Sequence, residues 1–275
     1  MLGLRILTVA VVLPLFLAAL FLLPSLGWTL LLTAVLAIAG REWARLAGYG
    51  SLGKVLYPGL LVASAVGILA IERAFAPGHS FIYSAPGKLI YGLSAAFWLA
   101  IVPAWLYNQW RSRASVLLGL VGWIVLVPFW HALTWLQTSP GRLLATLGLV
   151  WTADIAAYFA GHAFGRHKLA PLISPGKTWE GVIGALAAVA LYWSVITWFV
   201  PDFAGQLPAG LLWAAVLTAV SIQGDLFESW MKRLAGVKDS GSLLPGHGGL
   251  LDRIDALTST LPLAALYFAY PAMRA

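Results

Sequence analysis

The chain has 275 residues, 61% of them hydrophobic and 10% charged, whereas soluble domains carry roughly 25% charged residues. That composition excludes a soluble globule, and the lack of cysteine excludes disulfides, thiolate metal sites and cysteine nucleophiles. A net charge of +7 would suggest nucleic acid in a soluble protein; in a membrane chain it asks which loops hold the positive charges, and no nucleic-acid partner is expected.

A spanning helix needs about 20 mostly apolar residues. Nine such runs follow in chain order: 6–24, 27–47, 55–73, 89–107, 115–135, 143–164, 180–200, 209–230 and 250–270. The first resembles a signal-peptide core behind Arg5. No small-x-small cleavage site precedes Pro24 and a second run follows at once, so it reads as a retained helix. Breakers and polar clusters mark the loops, among them Gly48 to Gly53, Pro77 to Gly87, Asn108 to Ser115, Gly165 to Lys177, Pro201 to Pro208 and Leu234 to Gly249. With the N-terminus inside, the cytoplasmic set is Arg5, Arg41, Arg45, Lys54, Arg111, Arg113, Arg166, Lys168, Lys177, Lys232, Arg233, Lys238 and Arg253. Only Arg73, Lys88, Arg142 and Arg274 lie outside. This bias predicts an all-α polytopic integral membrane protein of about nine transmembrane helices, N-terminus cytoplasmic and C-terminus outside. Trp28, Trp43, Tyr57, Trp105, Tyr107, Trp110, Trp135, Trp179, Trp198, Trp230 and Tyr270 fall near span ends and read as interfacial anchors. Gly181, Gly184 and Ala188 suit close helix packing.

The chain holds ten carboxylates. Glu42, Glu72 and Asp202 lie near span ends or in short loops and attract no functional reading. The other seven, Asp154, Glu180, Asp225, Glu228, Asp239, Asp252 and Asp255, all fall in the second half. A charge at the centre of a spanning helix costs about 2.5–3.5 kcal/mol, so Asp154, Asp225, Asp252 and Asp255 at or inside spans point to function. Residues 1–140 therefore read as a scaffold with room for homodimer contacts, and residues 141–275 as the catalytic region. Asp225, Glu228, Ser229 and Lys232 share one face of the eighth span, and Asp252, Asp255 and Ser259 one face of the ninth. Carboxylates from two helices at one membrane face suit Mg²⁺, a hard ion that keeps waters or substrate phosphates in its other positions.

Between these helices run Lys232, Arg233, Lys238 and Asp239, then Gly246, His247, Gly248 and Gly249 before a helix start at Leu250. Basic residues, glycines and a helix N-terminus form a phosphate-wrapping combination. Upstream, Asp154, Tyr158, Gly161 and Gly165 share a helix face that leads to Ser174-Pro175-Gly176-Lys177-Thr178-Trp179-Glu180-Gly181. The Gly-Lys-Thr triplet is no Walker loop, because Pro171 stands where that pattern needs its first Gly. It reads instead as a second cationic arm for nucleotide or lipid phosphate.

The stretch from Ser229 through Lys232-Arg233, Lys238-Asp239, Pro245-Gly-His247-Gly248-Gly249 to Asp252-Arg253-Ile254-Asp255 resembles, position by position, the signature of the phosphatidate cytidylyltransferases, or CDP-diacylglycerol synthases. The stretches Asp154 to Gly161 and Ser174 to Gly181 resemble the same family. The resemblance implies that CTP and phosphatidic acid give CDP-diacylglycerol and pyrophosphate with Mg²⁺, a monovalent cation being a further option. It also implies the bacterial inner membrane, while the bias of the basic loops puts the site on the cytoplasmic face. Asp225 and Asp252 are then the first metal ligands, expected at matching depth on adjacent helices, with Asp255 and Asp154 next. Lys232, Arg233, Lys238 and Arg253, with Asp239 beside them, form the catalytic and phosphate-holding set. Asp154, Tyr158, Ser174, Lys177, Thr178, Ser229, His247, Gly248 and Gly249 are the expected substrate contacts. Two other readings are weaker. A CDP-alcohol phosphotransferase would show an Asp-Gly…Ala-Arg pattern that is absent, and a transporter would place its charges near the midplane of repeated halves.

Overall fold

A computed structural model describes residues 2–74, 80–200, 203, 207–243, 246 and 248–270, with side chains from Thr8 onward. His247, Asp202, Pro245, Arg274 and the side chain of Arg5 lie outside the described residues. The helices are α1 (Leu2–Leu22), α2 (Ser25–Leu46), α3 (Gly53–Ala74), α4 (Ala85–Ala96), α5 (Val102–Asn108), α6 (Ser115–Leu136), α7 (Pro140–Phe164), α8 (Trp179–Phe199), α9 (Leu207–Leu234) and α10 (Leu251–Ala269). A π-turn over Phe97–Ile101 joins α4 and α5 into one rod.

Each of the nine expected spans thus coincides with a helical rod, and the architecture is that of an all-α membrane protein. Among the described residues six rods are long and apolar enough to cross a membrane: Gly53–Ala74, Ala85–Asn108, Ser115–Leu136, Pro140–Phe164, Trp179–Phe199 and Leu207–Leu234. Both α2 and α10 carry three charged residues, Arg41, Glu42 and Arg45 in one and Asp252, Arg253 and Asp255 in the other. The fourth rod begins earlier than its expected span. Ser84 accepts the Gly87 N–H at 3.0 Å and a proline occupies the first turn, a favourable helix start.

Helix α6 is central, packing against α2, α3, α4 and α10, with Leu126, Trp130 and His131 buried on it. Small residues let the helices approach. A Cβ on Gly184 of α8 would overlap Ala160 of α7, and one on Gly181 would lie 2.9 Å from the Ala157 carbonyl oxygen. Helix α9 is gripped from the other side by aromatics. The Phe227 ring meets Trp43 of α2, Trp98 in the π-turn and Trp105 of α5 at centroid distances of 6.5, 5.8 and 5.6 Å. This clamp fixes the rotation of α9, and with it the direction of Asp225 and Glu228.

Several expected interfacial anchors have a different job. Trp28, Trp43, Tyr57, Trp105 and Trp230 are all buried. Their polar tips cross-link backbone: Trp43 Nε1 donates to the Leu118 carbonyl at 2.8 Å, Tyr57 Oη to that of Gly119 at 2.8 Å, and Trp28 Nε1 to that of Leu133 at 3.2 Å. A buried indole or phenol needs a partner for its polar atom, and a carbonyl with a spare lone pair supplies one inside the bundle. Tyr107 and Trp198, at 88% and 85% exposure, keep the outward position expected of belt residues.

The segment expected as a loop after α7 holds the two-stranded element among the described residues. Strand β1 (Lys168–Ala170) pairs antiparallel with β2 (Ser174–Thr178), Lys168 opposite Thr178 and Ala170 opposite Ser174. Period-two patterning is too short here to be seen in sequence, and tertiary ties close the hairpin. Glu180 of α8 accepts from His167, at 2.7 Å from Nδ1 and 3.2 Å from the backbone N–H.

Candidate active site

The hairpin, α7, α8 and α9 enclose a cleft of about 610 Å³. Asp154, Tyr158 and Gly161 line it from α7, Ser174, Lys177 and Thr178 from β2, Gly181 from α8 and Asp225 from α9. The two stretches separated in sequence, the α7 face and the Ser174–Gly181 arm, therefore form one site with Asp225. Lys177 Nζ lies 2.6 Å from Asp225 Oδ2. Thr178 Oγ1 caps α8 by accepting the Gly181 N–H at 3.1 Å, so its hydroxyl proton stays available to the cleft. Gly176, Lys177 and Thr178 belong to a strand, which closes the question of a Walker loop.

Beside the cleft runs the seam of α9 and α10. Ser259 Oγ lies 2.9 Å from the Val220 carbonyl, and a Cβ on Gly224 would lie 2.7 Å from the Asp255 carbonyl oxygen. The two helices are adjacent and antiparallel, as the charge pattern led us to expect. Their register differs from the expected one. Asp255 stands level with Asp225, whereas Asp252 stands level with Glu228, and Lys232 reaches back to both, its Nζ 2.6 Å from Asp252 Oδ1 and 3.4 Å from Glu228 Oε1. An antiparallel helix pair matches ascending with descending positions, so the deeper residue of one faces the later residue of the other.

The loop from α9 to α10 is organised by two carboxylates. Asp252 Oδ2 accepts from Ser240 N at 2.9 Å, from Gly249 N at 2.7 Å and lies 2.9 Å from Ser240 Oγ. Glu42 of α2 accepts from Leu250 N at 3.0 Å and Leu251 N at 2.9 Å, and lies 2.9 Å from Ser240 Oγ. These N–H groups are the orphan donors of a helix N-terminus, and acidic side chains there also suit the helix dipole. Gly248 has φ of +82° and a Cβ on it would sit 2.7 Å from Asp252 Oδ2. Only glycine meets both demands. Arg45 adds a 2.9 Å bond to the Asp239 carbonyl. Glu42, set aside on sequence as a span-end charge, is therefore a buried tie between the first half and the site loop. Its only sequence signal is an acid in an apolar helix, which sets no partner.

Other expected site residues are dispersed. Ser229 Oγ donates to Asp225 Oδ1 at 3.3 Å. Tyr158 stacks on His162 at 6.1 Å. Lys238 and Asp239 are exposed in the loop. Arg253 faces away from the seam into an apolar groove with Phe16 of α1 and Trp151 of α7, and Arg233 lines a pocket with Arg111 and Arg113. His247 lies outside the described residues. Consecutive helix residues diverge by about 100°, which separates Lys232 from Arg233 and Asp252 from Arg253.

Among the described residues no three Asp, Glu, His or Cys side chains converge into a ready metal cage. Mg²⁺ needs only one or two carboxylates when substrate phosphates supply the rest. The donor set fits that demand: Asp225 and Asp154 open into the cleft, Asp255 lies within electrostatic range of Asp225, and both oxygens of buried Glu228 lack a hydrogen-bond donor. Buried carboxylate oxygens without a hydrogen bond are costly; Glu228 has the Lys232 ammonium at 3.4 Å, and a further cation would relieve that cost.

Comparison with known proteins gives consistent matches. Residues 3–271 match the model of a cytidylyltransferase family. The chain is 42% identical to a phosphatidate cytidylyltransferase of Pseudomonas aeruginosa over 98% of both chains. It is 47% identical to one of Haemophilus influenzae over 46% of both, and 39% identical to one of Brucella suis over 64% of this chain and 66% of that protein.

Proposed function

Because the chain belongs to the cytidylyltransferase family, we infer that it is an integral membrane enzyme converting CTP and phosphatidic acid to CDP-diacylglycerol and pyrophosphate. An oxygen of the lipid phosphate attacks the α-phosphorus of CTP, the α–β bridging P–O bond breaks, and pyrophosphate leaves. The observation that supports this chemistry is one cleft holding Asp154, Asp225 and Lys177 beside a seam of buried carboxylates.

Asp225 and Asp255, level with each other across the seam, are the residues that would hold Mg²⁺, with Asp154 across the cleft. When bound, the ion supplies charge neutralisation at the phosphoryl oxygens. Lys177 swings from Asp225 to the triphosphate, since an ammonium on a flexible stem can exchange one anion for another. Thr178 and Ser174 orient phosphate oxygens from β2. Asp252 takes a positioning role: its oxygens hold Lys232 and the glycine-rich loop. No general base is needed, because the lipid phosphomonoester is already substantially ionised near neutral pH. The cleft faces the cytoplasm, where CTP is made, and the basic loops beside it agree with that side.

The test is radiolabelled CTP with detergent-solubilised phosphatidic acid. Labelled CDP-diacylglycerol and pyrophosphate are expected with Mg²⁺, with loss on chelation and recovery on adding Mg²⁺ back. Uptake of an anion into vesicles without turnover would instead indicate a transporter.

A further inference from the structure

A second basic pocket lies on the same end of the bundle as the cleft and shares no lining residue with it. It measures about 570 Å³ and is walled by Gln109, Arg111, Arg113, Leu172, Trp230 and Arg233, a size that falls within the range of ligand sites. Leu172 is at the tip of the β1–β2 hairpin, whose strands line the cleft on their other side. The lining has three guanidinium groups and no acidic residue. Among the described residues none of the three is ion-paired with a carboxylate. Three guanidinium groups facing one pocket with no carboxylate beside them set up a positive potential that favours an anion there.

The pocket is also rigidly built. The Trp110 carbonyl, immediately before Arg111, accepts from two indoles, Trp105 Nε1 at 2.9 Å and Trp230 Nε1 at 3.0 Å. Gln109 has φ of +51° and is the positive-φ residue other than glycine among the described residues. It is the left-handed C-cap of α5, a conformation unusual for a residue with a Cβ. This cap turns the chain out of α5 and brings Arg111 and Arg113 towards Arg233 of α9.

We propose that this pocket is a phosphate-binding site separate from the catalytic cleft, taking the anionic phosphate of a phospholipid headgroup or a free phosphate. Guanidinium forks match phosphate oxygens bidentately and are only weakly hydrated, which suits a site at the headgroup plane. An occupant there meets the hairpin tip at Leu172 while the reaction proceeds on the hairpin's other side.

The test uses the full chain in detergent and the variant R111Q/R113Q. Native mass spectrometry with dioleoyl phosphatidylglycerol, and isothermal titration with inorganic pyrophosphate, separate the two sources. Roughly tenfold weaker lipid retention by the variant is expected if the source is a headgroup; tenfold weaker pyrophosphate binding alone assigns a soluble anion. Turnover with saturating CTP and short-chain phosphatidic acid is expected within twofold of the parent. Unchanged binding of both probes overturns the site. A fall in turnover matching the fall in binding overturns its separateness. Should the double variant fail to fold by size exclusion, R113Q alone carries the same comparison. Neither binding readout requires turnover, so a failed transferase assay leaves this result legible.

Discussion

Two sets of carboxylates lie within a few turns of each other at the α9–α10 seam and the α2 helix beside it, and their surroundings make opposite demands. Asp252 and Glu42 have every oxygen engaged by a lysine, a hydroxyl or backbone N–H groups. Among the described residues Glu228 has no hydrogen bond and only the Lys232 ammonium at 3.4 Å, Asp255 has the N–H of Ala256, and Asp225 has a lysine and a serine. The first set is finished by the protein itself and holds a loop in shape. The second is only partly supplied with donors, and the proposed Mg²⁺ would complete it. Acidic residues that look alike in sequence are thus sorted by how many donors the fold brings to each.

The sharpest way to break this division is Asp225→Asn. If the open set is the reaction site, turnover in the CTP assay falls by about 10²–10³-fold, the scale of losing one preorganised electrostatic group. The thermal midpoint should hold, since Asp225 is partly exposed, at 34%. Turnover within a few-fold of the parent would dissolve the distinction. Next in size is Lys177→Met. A charge-assisted hydrogen bond is worth about 1.5–3 kcal/mol, so kcat/KM for CTP is expected to drop roughly 10–100-fold, chiefly through KM. A loss confined to phosphatidic acid saturation would reassign Lys177 to the lipid. Glu42→Gln probes the closed set. The amide still accepts but loses the charge that serves two helix-terminal N–H groups, so unfolding should ease by about 1–3 kcal/mol. Turnover of the folded fraction at low temperature should fall less than tenfold. A turnover loss as deep as that of Asp225→Asn, with stability intact, would move Glu42 into the reaction.

Much of this organisation was legible in the chain. Apolar runs placed every rod to within a few residues, and the spacing of Asp225, Glu228, Ser229 and Lys232 placed them along the seam-side face of α9. The face shared by Asp154, Tyr158 and Gly161 lines the cleft as drawn. What stayed hidden depends on which neighbour each side chain meets. Glu42 lies more than 200 positions from the N–H groups it serves at Leu250 and Leu251, and no local pattern encodes such a partner. Arg253 reads as part of a basic cluster because it follows Asp252, yet one helical step turns it into the groove beside Phe16. The buried indoles of Trp28 and Trp43 resemble belt residues by position alone, because a window of hydropathy does not record which side of a helix faces lipid.

The far end of the bundle extends the same logic and gives the smallest expected effect. There Glu72 accepts from His131 Nε2 at 3.1 Å, from the Phe81 N–H at 3.1 Å and from Ser80 Oγ at 3.2 Å, while Tyr91 Oη and His131 Nδ1 lie 2.7 Å apart. Tyr91 and His131 are buried, and the network ties α3, α4 and α6. Tyrosine, histidine and glutamate in a line can suggest catalysis. All three donors meet Oε1 of a partly exposed carboxylate; the cluster is remote from the α10 N-terminus, and its role is to join helices. Tyr91→Phe removes one hydroxyl and leaves one histidine nitrogen without its partner, costing about 0.5–1.5 kcal/mol. The thermal midpoint should therefore fall slightly, with turnover unchanged within twofold. A tenfold loss of turnover at unchanged stability would mean that this remote cluster still acts on the chemistry, and its place in the bundle would no longer separate scaffold from site.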